Sequence, residues 1–162
     1  MLFSNMDIHI GDCSWLWEEK INEAYESLLI FTPYFDFYLE EVLDNCELPY
    51  DSMTLVSQLD YIDDREENLN RLRVMLNLMS KGVNVLKLER LHAKALIVDE
   101  DWAIFGSQNF TNYSRSSVEI STEIESSEGF DWVFSDLKAL LDDADEVSNM
   151  DIYTASNHEL FL

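Results

Sequence analysis

Leu91–Thr111 reads LHAKALIVDEDWAIFGSQNFT. Within it stand His92, Lys94, Asp99, Gly106, Ser107 and Asn109, spaced H-x-K-x4-D-x6-G-S-x-N. Leu91–Val98 is apolar except at His92 and Lys94, which predicts a β-strand. Side chains two apart on a strand share a face, so His92 and Lys94 project together, about 7 Å apart along the chain. An imidazole can attack phosphorus, and an ammonium can hold phosphate oxygens. Ser107 and Asn109 are also two apart and follow the small Gly106. They can offer a hydroxyl and an amide to the same oxygens, and donors aimed at developing charge are usually the largest catalytic contribution. Taken singly, each residue has an ordinary explanation: a lone histidine is more often core or surface, a lone lysine is solvated, and Ser or Asn after Gly marks a turn. The set at this spacing outweighs those ordinary explanations.

The spacing resembles the HKD motif of the phospholipase D superfamily, with every fixed position filled. If each residue type fills roughly one position in twenty, six fixed matches arise by accident in about one chain in 10⁵ to 10⁶ of this length. The resemblance implies a mechanism. One histidine attacks the phosphodiester and forms a phosphohistidine; a second, from a second motif, protonates the leaving group and then activates water. This joins covalent to general acid–base catalysis. The resemblance also implies no metal and no cofactor, because Lys94 and Asn109 supply the electrophilic contacts, and a structural part for Asp99. It places an acid shortly after the Asn, to orient the His. Glu119 lies ten residues after Asn109 and Glu123 fourteen. The family's spacing falls between them, so the chain departs from the pattern here. If 118–125 is a strand, Glu119, Ser121 and Glu123 share a face. Glu119 is favoured because it opens the strand, and a solvated face explains Glu123 equally well.

A two-histidine mechanism needs two motifs. The chain has three histidines, and neither His9 (IHI) nor His158 (NHEL) is followed by Lys two residues on. No internal repeat is visible. Short single-motif members of the superfamily solve this as two-fold dimers, and an isologous dimer is the commonest oligomer. The expectation is a homodimer with one composite active site per dimer, His92 facing His92 of the second copy.

At 162 residues, 47% of them hydrophobic and four of them Trp, the chain reads as one globular domain with a full core. Cys13 and Cys46 are too few for a disulfide framework and lack zinc-ligand spacing. The start, MLFSNMDIHIGD, has neither a basic opening nor an apolar run of signal length. No stretch approaches a membrane span. A cytoplasmic protein without a membrane partner is expected. The charge is unusual: 10 basic residues face 33 acidic ones, for a net −23. A nucleic-acid binder is expected to be basic. Eight of the ten cations, however, lie between 65 and 115 among only six acids, so the half that carries the motif is near neutral. A solvated surface is the default reading of the acid. Adaptation to high salt, which screens surface charge, selectivity against weak substrates, or a basic partner are the others.

In order, Asp7–Ile10 reads as a strand and Ser14 as an N-cap. Residues 15–27 read as an amphipathic helix and Leu28–Thr32 as a buried strand. Tyr34, Phe35, Phe37 and Tyr38 then fit core better than a base-stacking groove. Phe37–Asn45 follows as a helix, Met53–Leu59 as a strand, and Glu66–Lys81 as a helix opened by Asp64 and stopped by Gly82. Arg65, Arg71 and Arg73 on it are substrate-facing or solvated. Val83–Leu88, Trp102–Phe105 and Val118–Glu125 read as strands. Arg115 and Tyr113, in the polar loop 112–117, are placed to contact phosphate and to stack on a base, with plain surface an equal reading. A last amphipathic helix spans 130–141, an acidic run follows, and 148–162 is a tail that docks or stays loose. Alternating strands and helices predict an α/β fold, a mixed β-sheet flanked by helices on both faces.

The reading that follows is a metal-independent phosphodiesterase, foremost an endonuclease for DNA or RNA. A phospholipase is a weaker alternative, because no membrane-binding segment is visible. A non-catalytic or partner-dependent interaction module with an acidic surface is the other.

Overall fold

The computed structural model describes residues 5–160. The strands are β1 (Asp7–Ile10), β2 (Leu28–Phe31), β3 (Met53–Ser57), β4 (Asn84–Lys87), β5 (Ala95–Val98), β6 (Trp102–Gly106), β7 (Ile120–Glu125) and β8 (Asp145–Glu146). The helices are α1 (Ser14–Glu23), α2 (Phe37–Asp44), α3 (Arg65–Lys81), α4 (Asp131–Ala139) and α5 (Asn149–Ala155). All eight strands form one sheet, ordered β1-β7-β6-β5-β2-β3-β4-β8. Strands β2, β3 and β4 run parallel and every other pairing is antiparallel. The sheet is mixed, as the alternation of elements predicts. No helix among the described residues is long and apolar enough to cross a membrane.

Strand alternation sorts the core into two layers. Leu28, Ile30, Leu55, Leu96 and Val98 face one way and pack with residues of α1, α2, α3 and α5, including Trp17, Leu39, Leu72 and Ile152. Phe31, Val56, Ala95 and Ile97 face the other way and pack under Phe130 and Phe134 of the α4 segment. Helices therefore cover both faces, four on one and α4 on the other.

Chain direction gathers the functional segments. β1, β2, β3, β4 and β6 all end at one edge of the sheet, hereafter the upper edge, and β5 and β7 begin there. The connections 32–36, 58–64, 88–94 and 107–119 consequently crowd that edge. The turn 99–101 lies at the opposite, lower edge.

Several boundaries differ from the sequence reading. The predicted strand 91–98 is a strand only from Ala95, because β2 pairs no further than Phe31 with Ala95 and leaves residues 91–94 without a neighbour on that side. Helix α1 stops at Glu23 rather than 27 because the backbone N–H groups of Tyr25, Glu26 and Ser27 donate to the Asp99 carboxylate, at 2.7 to 3.2 Å. Ser14 is the first helical residue, not the cap. Asp12 accepts from its N–H at 2.9 Å and from its hydroxyl at 2.8 Å. Asp64 does cap α3, accepting from Glu67 N, and Gly82 ends that helix at φ 108°.

The segment after 147 is docked. Ser148 and Asp151 form a capping box that opens α5, Ile152 is fully buried, and Asn68 Nδ2 donates to Ala155 O at 3.1 Å. Phe161 and Leu162, which end the apolar tail, lie outside the described residues. The acidic run contributes β8, whose Glu146 and Asp145 pair with Leu86 and Lys87. A two-residue strand leaves no periodicity to detect.

Candidate active site

At the upper edge residues 91–94, before β5, have no strand partner on the β2 side. The bond from Gly106 N to Lys94 O, 3.1 Å, is their anchor to β6. Lys94 folds back on the segment. Its Nζ lies 3.2 Å from Nδ1 and 3.4 Å from Nε2 of His92, and it donates to the His92 carbonyl at 2.9 Å. His92 is exposed, while Lys94 is 9% exposed. Burial lowers the lysine's pKa, and the charge of Glu119 opposes that shift.

Ser107 follows β6 directly. Its N–H donates to Ile120 O at 3.0 Å, and its hydroxyl accepts from Ile120 N at 3.1 Å. That hydroxyl also donates to the Glu119 carboxylate. So tight an approach of two backbones requires residue 106 to lack a side chain. A β-carbon there would overlap the Ile120 carbonyl oxygen and stand 2.8 Å from the Ser121 α-carbon. Asn109 is half-buried, and its Oδ1 is buried without a hydrogen-bond partner. The unpartnered atom is an acceptor, so it is the Asn109 amide nitrogen, not this oxygen, that could donate to a phosphate.

The two candidate acids separate clearly. Glu119 contacts Ser107 and acts electrostatically on Lys94. Glu123 is engaged elsewhere: it accepts from Trp102 Nε1 at 2.7 Å and pairs with His9 Nε2 at 2.8 Å. No contact joins Glu119 to His92 within the chain.

Asp99 lies at the lower edge, beyond the far end of β5. It has φ 54° and Glu100 has φ 57°, so the turn is left-handed at two residues, neither of them Gly. The three N–H groups that Asp99 gathers from 25–27, and the Asp99 N–H to Ser27 O bond of 2.9 Å, hold it there.

Arg115 and Tyr113 diverge. Tyr113 is 82% exposed. Arg115 leans on the body: its guanidinium is 4.7 Å from the Tyr38 ring centroid, and Nε donates to Ser14 Oγ at 3.2 Å. Below it, Gln108 is buried and joins Cys13 N to Asp12. The aromatic run divides as well. Phe35 and Tyr38 are core, whereas Phe37 is half exposed.

Arg71 is neither substrate-facing nor solvated. It is fully buried. It donates to Pro33 O at 3.3 Å, Gln58 O at 3.1 Å, Asp60 O at 2.9 Å and Asn68 Oδ1 at 3.2 Å. Burial without a carboxylate partner pulls its pKa down to about 10. The guanidinium thus ties together the two connections that leave β2 and β3 at the upper edge. Its place on the apolar stripe of α3, between Leu69 and Leu72, is the signal in the sequence. Among the described residues no group of three His, Cys, Asp or Glu is arranged to hold a metal ion.

The sequence matches, over residues 18–141, the family described as cardiolipin synthase, PLD-like domain. A search of curated proteins returns no significant match. The fold is similar to that of NucT from Helicobacter pylori, with a TM-score of 0.64 at 14% identity over 88% of this chain and 100% of that one. It is similar to Nuc from Salmonella typhimurium, a phospholipase D family member, with a TM-score of 0.64 at 15% identity over 90% and 100% of the two chains. It is also similar to phosphatidylserine synthase from Haemophilus influenzae, with a TM-score of 0.70 at 12% identity over 88% of this chain but 40% of that one. At such identities the likeness is one of fold.

Proposed function

The chain belongs to the phospholipase D superfamily, through the PLD-like domain family of cardiolipin synthase, and on that premise we propose that it is a metal-independent phosphodiesterase, an endonuclease for DNA or RNA. The observation that carries the reading is the meeting of His92, Lys94, Ser107 and Glu119 at the one edge where β5 begins and β6 ends. An exposed imidazole there stands beside a buried ammonium, with a hydroxyl and a carboxylate on the next strand connection.

In the proposed reaction a nitrogen of the His92 imidazole attacks phosphorus. The P–N bond forms as the P–O bond to one ester oxygen breaks. A second histidine gives its proton to the departing oxygen. Water then attacks the phosphohistidine, the second histidine takes the water's proton, and the P–N bond breaks to release a phosphomonoester and free His92. Lys94 and Asn109 hold the non-bridging oxygens, whose charge grows in each transition state. Ser107, whose hydroxyl accepts from Ile120 N and donates to Glu119, holds that carboxylate beside Lys94, and would turn its proton to the same oxygens only on releasing Glu119. Gly106 brings the loop close enough for this.

The second histidine has no candidate within the chain. His9 is on β1, three strand spacings from β5, roughly 14 Å, and is bonded to Glu123. His158 stacks on Tyr153, beyond the end of α5. A homodimer supplies the missing group as His92 of a second copy, with one composite site per dimer. The same arrangement gives Glu119 an imidazole to orient across the two-fold axis.

A lipid phosphodiester is a second reading, favoured by the description of the matching family. The experiment is incubation of purified protein in EDTA with single- and double-stranded DNA and RNA and with phospholipid vesicles, beside His92→Ala. Cleavage of a nucleic acid by the wild type alone is expected. Turnover of lipid alone selects the second reading. Turnover that needs a divalent ion refutes the metal-independent mechanism, and full activity of a sedimenting monomer refutes the shared site.

A further inference from the structure

Ten cations share this chain with 33 acids, so a cation without a carboxylate neighbour is informative. Lys20, Arg65, Lys81, Lys87 and Lys138 each lie 2.6 to 3.9 Å from a carboxylate oxygen. Among the described residues Arg71, Arg73, Arg90, Lys94 and Arg115 do not. Four of these are otherwise employed. Arg71 is buried against carbonyls, Arg73 donates to Asn70, Lys94 folds onto His92, and Arg115 rests on Tyr38 and Ser14.

Arg90 is not employed. It is exposed and makes no hydrogen bond, ion pair or ring contact with any described residue, although Glu89 is its chain neighbour. It occupies the third position of the turn 88–91, closed by Leu91 N to Leu88 O at 3.3 Å. Its φ of 60° is left-handed. Turns of this kind favour Gly or Asn at that position, and a long side chain is disfavoured there. The turn sits on the upper edge and leads within two residues to His92. Places where local preference and structure disagree concentrate at functional sites. Here the disagreement preserves an unpaired guanidinium, the side chain best matched to a phosphate by its planar fork of donors.

We propose that Arg90 binds a backbone phosphate of a nucleic-acid strand, next to the phosphate that His92 attacks. Its α-carbon is at most about 7 Å from that of His92, close enough for both to serve neighbouring positions on one strand. The site would then take a polymer rather than an isolated diester, with an anchor on the flank of the reaction and the acidic body rejecting polyanions elsewhere. This rests on the reading of His92 as the centre of a phosphodiesterase site.

The test is equilibrium binding of labelled single-stranded DNA and RNA oligonucleotides to the His92→Ala protein, which cannot turn over, across a salt series. Arg90→Gly and Arg90→Lys are added to that background. Gly suits the left-handed turn, so the Arg90→Gly protein should melt at or above its parent's temperature while binding about tenfold more weakly. Its slope of log affinity against log salt should be shallower by about 0.7, the loss of one phosphate contact on a single strand. Arg90→Lys keeps the charge, and should keep the slope with an intermediate affinity. DNA and RNA arms that respond alike locate the contact on the shared backbone. Unchanged affinity and slope in Arg90→Gly overturn the proposal. So does an absence of oligonucleotide binding by the parent, or binding to phosphatidylglycerol vesicles alone. Turnover by the wild type is scored separately. A protein that binds through Arg90 but cleaves nothing overturns the phosphodiesterase reading. One that cleaves while Arg90 is dispensable overturns the anchor.

Discussion

Gly106→Ala tests the architecture of the site without assuming its chemistry. The added methyl meets only backbone: the Ile120 carbonyl, overlapping its oxygen, and the Ser121 α-carbon at 2.8 Å. No side chain can rotate away, so β6 and β7 must part at the upper edge. That parting strains the Ser107 N to Ile120 O bond of 3.0 Å, the Ile120 N to Ser107 Oγ bond of 3.1 Å and the Gly106 N to Lys94 O bond of 3.1 Å. Net hydrogen-bond contributions are about 1 kcal/mol each and overpacking costs about 1–3 kcal/mol, so a loss of about 2–5 kcal/mol is expected. For a chain of this size each kcal/mol moves Tm by about 2–4 °C, which makes the drop about 4–20 °C. The control is Gly11→Ala. Gly11, unlike Gly106, has a left-handed φ, 101°, but nothing lies within 4 Å of the added carbon, so only the backbone cost of about 1–2 kcal/mol applies. Thermal unfolding followed by tryptophan fluorescence reads both. A Gly106→Ala protein that melts within about 2 °C of wild type, or no lower than Gly11→Ala, refutes the close approach on which the placement of Ser107 depends.

Three further outcomes follow from the geometry. Burial favours the neutral amine of Lys94, so the ammonium needed for phosphate is present below a lowered pKa and is lost as pH rises through it. The alkaline limb of kcat/KM should therefore lie below the 10.5 of a solvated lysine, and Glu119→Gln, which removes the opposing charge, should move it lower still. Asp99→Ala strands three backbone donors at the lower edge and should cost about 2–4 kcal/mol in urea unfolding, with kcat of the folded protein near that of wild type. Glu123→Gln should weaken the His9 and Trp102 bonds and cost about 1–2 kcal/mol while sparing turnover. Glu119→Gln should lower turnover at least about tenfold, as expected for removal of a group that orients acid–base machinery; the reverse pattern would assign the roles the other way.

The sheet and its helices are legible in the sequence because apolar periodicity reports directly on burial. Leu28–Phe31, Met53–Ser57 and the stripe of α3 are where the pattern puts them. What escapes is set by contacts across the chain. Nothing near Glu23 says that α1 must end there, since the carboxylate that takes its next N–H groups is Asp99, 72 to 74 residues on. Nothing near Lys94 says that the strand has not yet begun, since that depends on where β2 turns away. Arg71 shows the converse. Its helical position was visible, but a guanidinium on an apolar stripe is usually taken for surface, and only the carbonyls of Pro33, Gln58 and Asp60 explain its burial. In the site, the motif spacing brought forward His92, Lys94, Ser107 and Asn109. The sequence reading favours Glu119 as the residue that opens the strand, yet β7 begins at Ile120 and Glu119 precedes it, while the register puts Glu123 opposite Asp7 and Ile104.

The place of Asp99 bears on descent. Asp99 joins the close of α1 to the far end of β5, at the opposite edge from His92 and Lys94. On the proposed mechanism, selection on turnover would act on His92 and Lys94, whereas selection on the folded chain would act on Asp99, whether or not any substrate is ever met. A descendant that abandoned catalysis would be free to lose the first two and obliged to keep the third. The residue that the proposed reaction does not use is thus the one that would last longest as a mark of ancestry.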